Sequence, residues 1–119
     1  MTDSAFRPID AALLPDAVTA YLRAHQARDT AASLATFTPD AAVTDEGRTH
    51  EGITAIQSWL ERAGSQYTYT TTLTGAYRAD DAHYVADHRL EGDFPGGVAD
   101  LHFRFTLRDG SIERLVIEP

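Results

Sequence analysis

Val98-Ala99-Asp100-Leu101-His102-Phe103-Arg104-Phe105-Thr106-Leu107 is the stretch from which the fold can be read. Leu101, Phe103, Phe105 and Leu107 alternate with Asp100, His102, Arg104 and Thr106. Successive side chains of a strand point to opposite faces, so the alternation predicts a strand with one buried and one wetted face. Asp109-Gly110 follows directly, and both residue types tolerate the positive φ of a two-residue hairpin turn. Ile112 to Ile117 then predicts the strand that closes the sheet. Going backwards, Gly92-Asp93-Phe94-Pro95-Gly96-Gly97 reads as a wide hairpin loop and His83 to Leu90 as the strand before it. Earlier still, Tyr67, Tyr69, Thr71, Leu73 and Tyr77 are set against Thr68, Thr70, Thr72 and Thr74, with Ala79-Asp80-Asp81 as the turn. From Gln66 onward the chain is expected to be a meander.

Upstream the period changes from two to helical. Leu14-Pro15-Asp16 is a helix start, Pro having a preset φ and Asp favouring the positive end of the helix dipole. Val18, Tyr21, Leu22 and His25 share one face, with Arg23, Gln26 and Arg28 turned away. Asp29-Thr30 predicts the cap of a second helix, Ala31 to Phe37, burying Leu34 and Phe37 and ended by Pro39-Asp40. Ala41 to Asp45 reads as a short strand, Glu46-Gly47-Arg48 as a turn, and Thr49-His50 as a segment pairing back. The third helix is expected over Ile53 to Arg62, with Ile53, Ile56, Trp59 and Leu60 inward and Gly64 as its cap. Residues 1–13 show no strong period and read as an N-terminal arm, and residues 14–119 as a single domain. Helices first and strands after predict an α+β domain with its helices on one face of the sheet.

The 119 residues suffice for one domain, and 43% apolar with 24% charged residues is ordinary globular usage. Eighteen acidic residues against ten basic ones give a net charge of -8, which repels nucleic acid and anionic membrane surfaces. No apolar run approaches the ~20 residues of a membrane span, and Met1-Thr2-Asp3-Ser4-Ala5-Phe6 lacks the pattern of a signal peptide. A cytoplasmic protein is the expectation. The chain has no Cys, and every basic residue is Arg. Disulfides, thiolate nucleophiles, Schiff-base chemistry and a P-loop lysine are thereby excluded. The five histidines are scattered, and neither His50-Glu51 nor Asp100-Leu101-His102 has zinc-enzyme spacing, so no metal site is expected. No Gly-Xaa-Ser-Xaa-Gly elbow or glycine-rich phosphate loop occurs, so no cofactor is expected either.

Three segments carry a resemblance. Tyr21, Phe37-Thr38-Pro39-Asp40-Ala41-Ala42-Val43-Thr44-Asp45 and Gly52-Ile53-Thr54-Ala55-Ile56 together resemble the nuclear transport factor 2-like superfamily. That superfamily includes the SnoaL-like polyketide cyclases and the ketosteroid isomerases, and His102-Phe103-Arg104-Phe105 is similar to the isomerase segment. The resemblance spans roughly Pro15 to Ile117. It implies a cone-shaped fold, in which a curved, mainly antiparallel sheet wraps around three helices from the N-terminal half. It also implies that Tyr21 occupies the place of an oxyanion-hole tyrosine and Asp45 that of a general base. The second oxyanion donor of that family, a protonated Asp, would fall at Leu101. Asp100 is adjacent but on the opposite strand face, and only a bulge before Phe103 would turn it inward.

Each site residue has two readings. Asp45 is a desolvated base at a pocket rim or a solvated turn aspartate. Tyr21 donates its proton to a substrate oxygen or is a core aromatic. His88, on the apolar strand face with Tyr84, Ala86 and Leu90, replaces the missing acid or is a satisfied core histidine. Trp59, Tyr67, Tyr69, Leu101 and Phe103 line a ligand pocket or simply fill the core. The threonine face of the Tyr67–Tyr77 strand, with Val85 and Arg104, is wetted or pairs with a second subunit as a homodimer. The expected function is proton transfer, as by an isomerase or cyclase, next to the carbonyl of a small apolar molecule. The alternative is a non-catalytic ligand-binding or dimerisation module of the same fold.

Overall fold

A computed structural model describes residues 5–119, with side chains for all of these except 63–66. Three helices, α1 (Asp16–Ala27), α2 (Thr30–Leu34) and α3 (Ile53–Gln66), accompany seven strands. The strands are β1 (Arg7–Pro8), β2 (Phe37–Asp45), β3 (Arg48–Glu51), β4 (Tyr69–Asp80), β5 (His83–Gly92), β6 (Val98–Arg108) and β7 (Ser111–Glu118). They form one curved, unclosed sheet in the order β1-β4-β5-β6-β7-β2-β3. β4 to β7 are the meander, and β2 returns beside β7 as the parallel pair, Val43 facing Leu115 and Asp45 facing Ile117.

The strand at 98–108 sets the core. Across β5 and β6, His88 pairs with Leu101, Ala86 with Phe103 and Tyr84 with Phe105. Across β6 and β7, Phe103 pairs with Ile117 and Phe105 with Leu115. This face packs on Val18 and Tyr21 of α1 and on Ile56, Trp59 and Leu60 of α3. Each such side chain contributes roughly 1.5–3 kcal/mol by leaving water. Glu46-Gly47 and Asp109-Gly110 close the β2–β3 and β6–β7 hairpins, all four residues at positive φ, which matches the right-handed strand twist.

Several local expectations are corrected. α2 stops at Leu34, and Phe37 opens β2 instead of closing a helix. Thr36 Oγ1 donates to the Ser33 carbonyl at 2.7 Å, and Ile112 N–H donates to the Thr36 carbonyl at 2.8 Å. The Thr36-Phe37-Thr38 run favours extended backbone, and burial of Phe37 against Tyr21 completes the exchange. Pro39 and Asp40 sit where the β2–β7 register shifts, a bulge being one of the few sheet positions that tolerates a missing N–H. Pro15 precedes α1 as its cap residue. Leu34 is half-buried and Ser33 takes the buried place. In β4 the register shifts between Leu73 and Gly75, which inverts the phase. Ala76 is therefore buried, and Tyr77 pairs with Val85 on the outer face rather than continuing the inner row. α3 does not end at Arg62 with Gly64 as its cap but runs on through Gly64 to Gln66, where Tyr67 leaves it in extended backbone. In the segment before α1, Arg7–Pro8 pairs with Tyr77–Arg78, and Ala11–Leu13 forms one 3-10 turn capped by Asp10.

Candidate functional site

α1 brings Tyr21 into the interior and, one turn later, His25 to its edge. Tyr21 is 0% exposed, its ring edge-on to Phe37 and Phe105 at 5.6 and 5.9 Å and stacked on His25 at 5.6 Å. Its hydroxyl is buried without a hydrogen-bond partner among the described residues. Burial drives the Tyr21 pKa well above the usual phenol range, with the nearby Tyr69 and Asp45 adding to the shift. The group is a fixed, protonated donor.

Asp45 closes β2, where the parallel pairing with Ile117 aims it back at the helices. Trp59 of α3, 5% exposed, donates its Nε1–H to Asp45 Oδ2 at 3.0 Å. Oδ1 receives no hydrogen bond from a described residue. A neutral indole donor orients a carboxylate without neutralising it. Trp59 also stacks on His50 at 6.2 Å.

His88 stands on the inner face of β5, opposite Leu101, with its ring 4.7 Å from that of Phe103. It is 4% exposed, and its Nδ1 is buried without a partner. Burial lowers the His88 pKa below 6.5, and His25 lowers it further, against the Ala86 carbonyl and Asp87. Leu101 is partly buried against the core. Asp100 stays on the outer face, because β5 and β6 pair without a register shift from Val98 to Thr106. There Arg89 holds it through two hydrogen bonds, at 2.9 and 3.2 Å. No second carboxyl joins Tyr21 and Asp45 from this strand. Tyr67 follows α3 and lies at the rim, its ring 6.1 Å from that of Phe94 in the β5–β6 loop, while Arg28 donates to its carbonyl at 3.3 Å.

The structure thus joins Asp45 to Trp59 and His88 to Phe103 and Leu101, and it gives no direct contact between Asp45 and Tyr21 among the described residues. It places Tyr67 apart from these, with Phe94. Two polar groups that sequence reasoning did not single out as catalytic complete the cluster. His25 Nε2 shares a 3.3 Å hydrogen bond with the Tyr69 hydroxyl. Burial lowers the His25 pKa, against the pull of Asp45 and together with Arg28, and burial raises that of Tyr69. The signal for His25 was its spacing: four residues past Tyr21, on the same apolar stripe. Three hollows meet at His25, of about 230, 270 and 330 Å³, and neither Tyr21 nor Asp45 lines them. His25, whose ring stacks on that of Tyr21, lines all three. Among the described residues no cluster of three or more His, Asp or Glu is arranged to hold a metal ion.

A family profile described as the SnoaL-like domain matches residues 18–115. No curated protein gives a sequence match. Among solved structures, a candidate polyketide cyclase from Sinorhizobium meliloti is 35% identical over 92% of this chain and 100% of its own, with a TM-score of 0.85. A hypothetical Catenulispora acidiphila protein with a ketosteroid isomerase-like fold, in complex with trimethylamine, is 22% identical over 88% of this chain and 85% of its own, TM-score 0.76. A Mycobacterium tuberculosis protein in complex with estradiol-17β-hemisuccinate is 17% identical over 87% of this chain and 90% of its own, TM-score 0.73. The last two likenesses are of fold.

Proposed function

The chain belongs to the SnoaL-like domain family, and from that premise we propose that it binds a small, mostly apolar, carbonyl-bearing molecule and moves a proton next to that carbonyl without a cofactor. Asp45 takes the proton. Tyr21 donates a hydrogen bond to the oxygen on which charge develops, and His88 assists from the opposite wall. Trp59, Tyr67, Leu101 and Phe103 contact the ligand body. The observation that carries this reading is the unpartnered Tyr21 hydroxyl. A buried donor left unpaired costs about 1–3 kcal/mol, and such costs persist where a group serves a ligand rather than the fold. A buried phenol donor and a carboxylate base are the pair of groups that enolisation needs.

The test follows deuterium uptake by a panel of cyclic ketones in heavy water. Asp45→Asn should lower wild-type uptake by about 10²–10⁴-fold. Equal uptake by the two proteins rejects the proposal. A second reading, a non-catalytic ligand-binding module, is favoured by Leu101, which stands where the isomerases place their second donor while Asp100 is held outward. It expects binding without uptake. As partner in assembly we propose a second copy through the outer sheet face around Tyr77, Val85 and Arg104. Sedimentation should then give twice the chain mass, and the monomer mass at micromolar concentration refutes it.

A further inference from the structure

The hollow of about 230 Å³ lies between α1 and the inner face of β4 to β6. Leu14 and Leu22 on one side and Leu73 and Phe103 on the other are apolar. Six polar side chains interrupt them, and two of these, His88 and Arg23, carry the argument. His88 lines the hollow and is 4% exposed with an unpartnered Nδ1. A buried polar atom without a partner is rare, because leaving it unpaired costs what a hydrogen bond would have returned. Arg23 lines the same hollow and is exposed. Arg78, Arg89 and Arg108 are each matched to a carboxylate, whereas Arg23 makes no ion pair with a described residue. A guanidinium beside an apolar hollow suits the carboxylate of a ring-bearing acid.

The volume limits what fits. An engineered apolar cavity of about 150 Å³ takes benzene, so 230 Å³ accommodates one ring with short substituents and not a four-ring body. We propose that this hollow binds a single-ring carboxylate with an oxygen substituent at its far end. The carboxylate meets Arg23 at the mouth, the ring lies between Leu22 and Phe103, and the far oxygen pairs with Nδ1 of His88. A hydroxyl suits either tautomer of a neutral imidazole, since it both donates and accepts. The site shares His88 and Phe103 with the proposed reaction site and so rests in part on that reading, but Asp45 and Tyr21 do not line it.

Three probes test this by calorimetry on the full chain: 4-hydroxybenzoate, 4-hydroxybenzamide and benzoate. Wild-type protein should bind 4-hydroxybenzoate about tenfold more tightly than either of the others, each having lost one polar contact worth about 1.4 kcal/mol. Arg23→Gln should abolish the preference for acid over amide, and Leu73→Trp should weaken all three by filling the hollow. Arg23 is exposed and Leu73 is 37% exposed, so both variants keep the core intact. His88→Phe should abolish the preference for the hydroxyl. If that variant fails to fold, the wild-type contrast between 4-hydroxybenzoate and benzoate, with the ¹⁵N shift of His88 on binding, reads the same contact. Equal affinities in wild type, an acid preference that survives Arg23→Gln, or affinity unchanged by Leu73→Trp overturns the proposal. Calorimetry needs no turnover, so these outcomes are separate from the deuterium test of Asp45.

Discussion

Replacing Tyr21 by Phe removes one oxygen and leaves a ring of the same shape. Phe37, Phe105 and His25 pack on that ring at 5.6 to 5.9 Å, and a phenyl keeps these contacts. What disappears is a fully buried hydroxyl that no described group satisfies. Relieving an unpaired buried polar group returns about 1–3 kcal/mol. At about 2.1 cal/mol/K of unfolding entropy per residue, this chain of 119 residues should melt about 4–12 °C higher. The assay is calorimetric melting of both proteins at pH 7 without ligand, with urea unfolding as the isothermal check. If the hydroxyl serves a ligand, stability rises while deuterium uptake falls by about 10²–10³, the usual loss of one oxyanion donor. A variant that melts lower than wild type refutes the reasoning. The hydroxyl would then be supporting the fold, and its donation to substrate would lose its basis.

Other expectations follow from the same geometry. Asp45→Asn keeps an acceptor for Trp59 Nε1 and should change stability little, whereas Asp45→Ala orphans that N–H and should cost about 1–3 kcal/mol in urea unfolding. A Cβ on Gly92 would lie 2.3 Å from the Thr68 carbonyl oxygen and 2.7 Å from Tyr69 Cα. Gly92→Ala should therefore destabilise by about 1–3 kcal/mol and shift the Tyr69 ring and its neighbours in NMR spectra. Burial lowers the pKa values of His25 and His88 in the folded state below 6.5. The unfolded chain then binds more protons than the folded one, so stability is full above pH 6.5 and declines as pH falls toward the folded-state values. In His88→Phe that decline should be shallower between about pH 7 and 5, as read by urea midpoints; an identical slope contradicts it.

The sheet was legible because strand period two survives single irregularities. The 98–107 alternation and Asp109-Gly110 located the meander, and the acidic cap at Asp29 located α2. What was not legible depends on partners far along the chain. Phe37 has the spacing of a helix face, and only β7, some seventy residues later, supplies the Ile112 N–H that draws Thr36-Phe37 into the sheet. The bulge after Leu73 leaves no mark in the Thr-rich run, yet it decides that Tyr77 faces outward. At the candidate site, the resemblance alone points to Tyr21 and Asp45, while strand alternation places Asp100 on the outer face, where it is found. Trp59 reads in the sequence as a lining or core aromatic, and its donation to Asp45 depends on α3 bringing together residues 14 apart, which no local pattern encodes. His25 was seen on the apolar stripe, but nothing in the sequence places Tyr69 within reach of its Nε2.

The most direct measurement is the ¹³C resonance of a carbonyl-labelled cyclic ketone bound to the protein. Donation from Tyr21 polarises the carbonyl, so the bound signal should lie downfield of the free one in wild type and return toward it in Tyr21→Phe, with binding retained. A bound shift that Tyr21→Phe leaves unchanged, or no bound signal at saturating protein, contradicts the assignment of Tyr21 and Asp45 to one reacting centre.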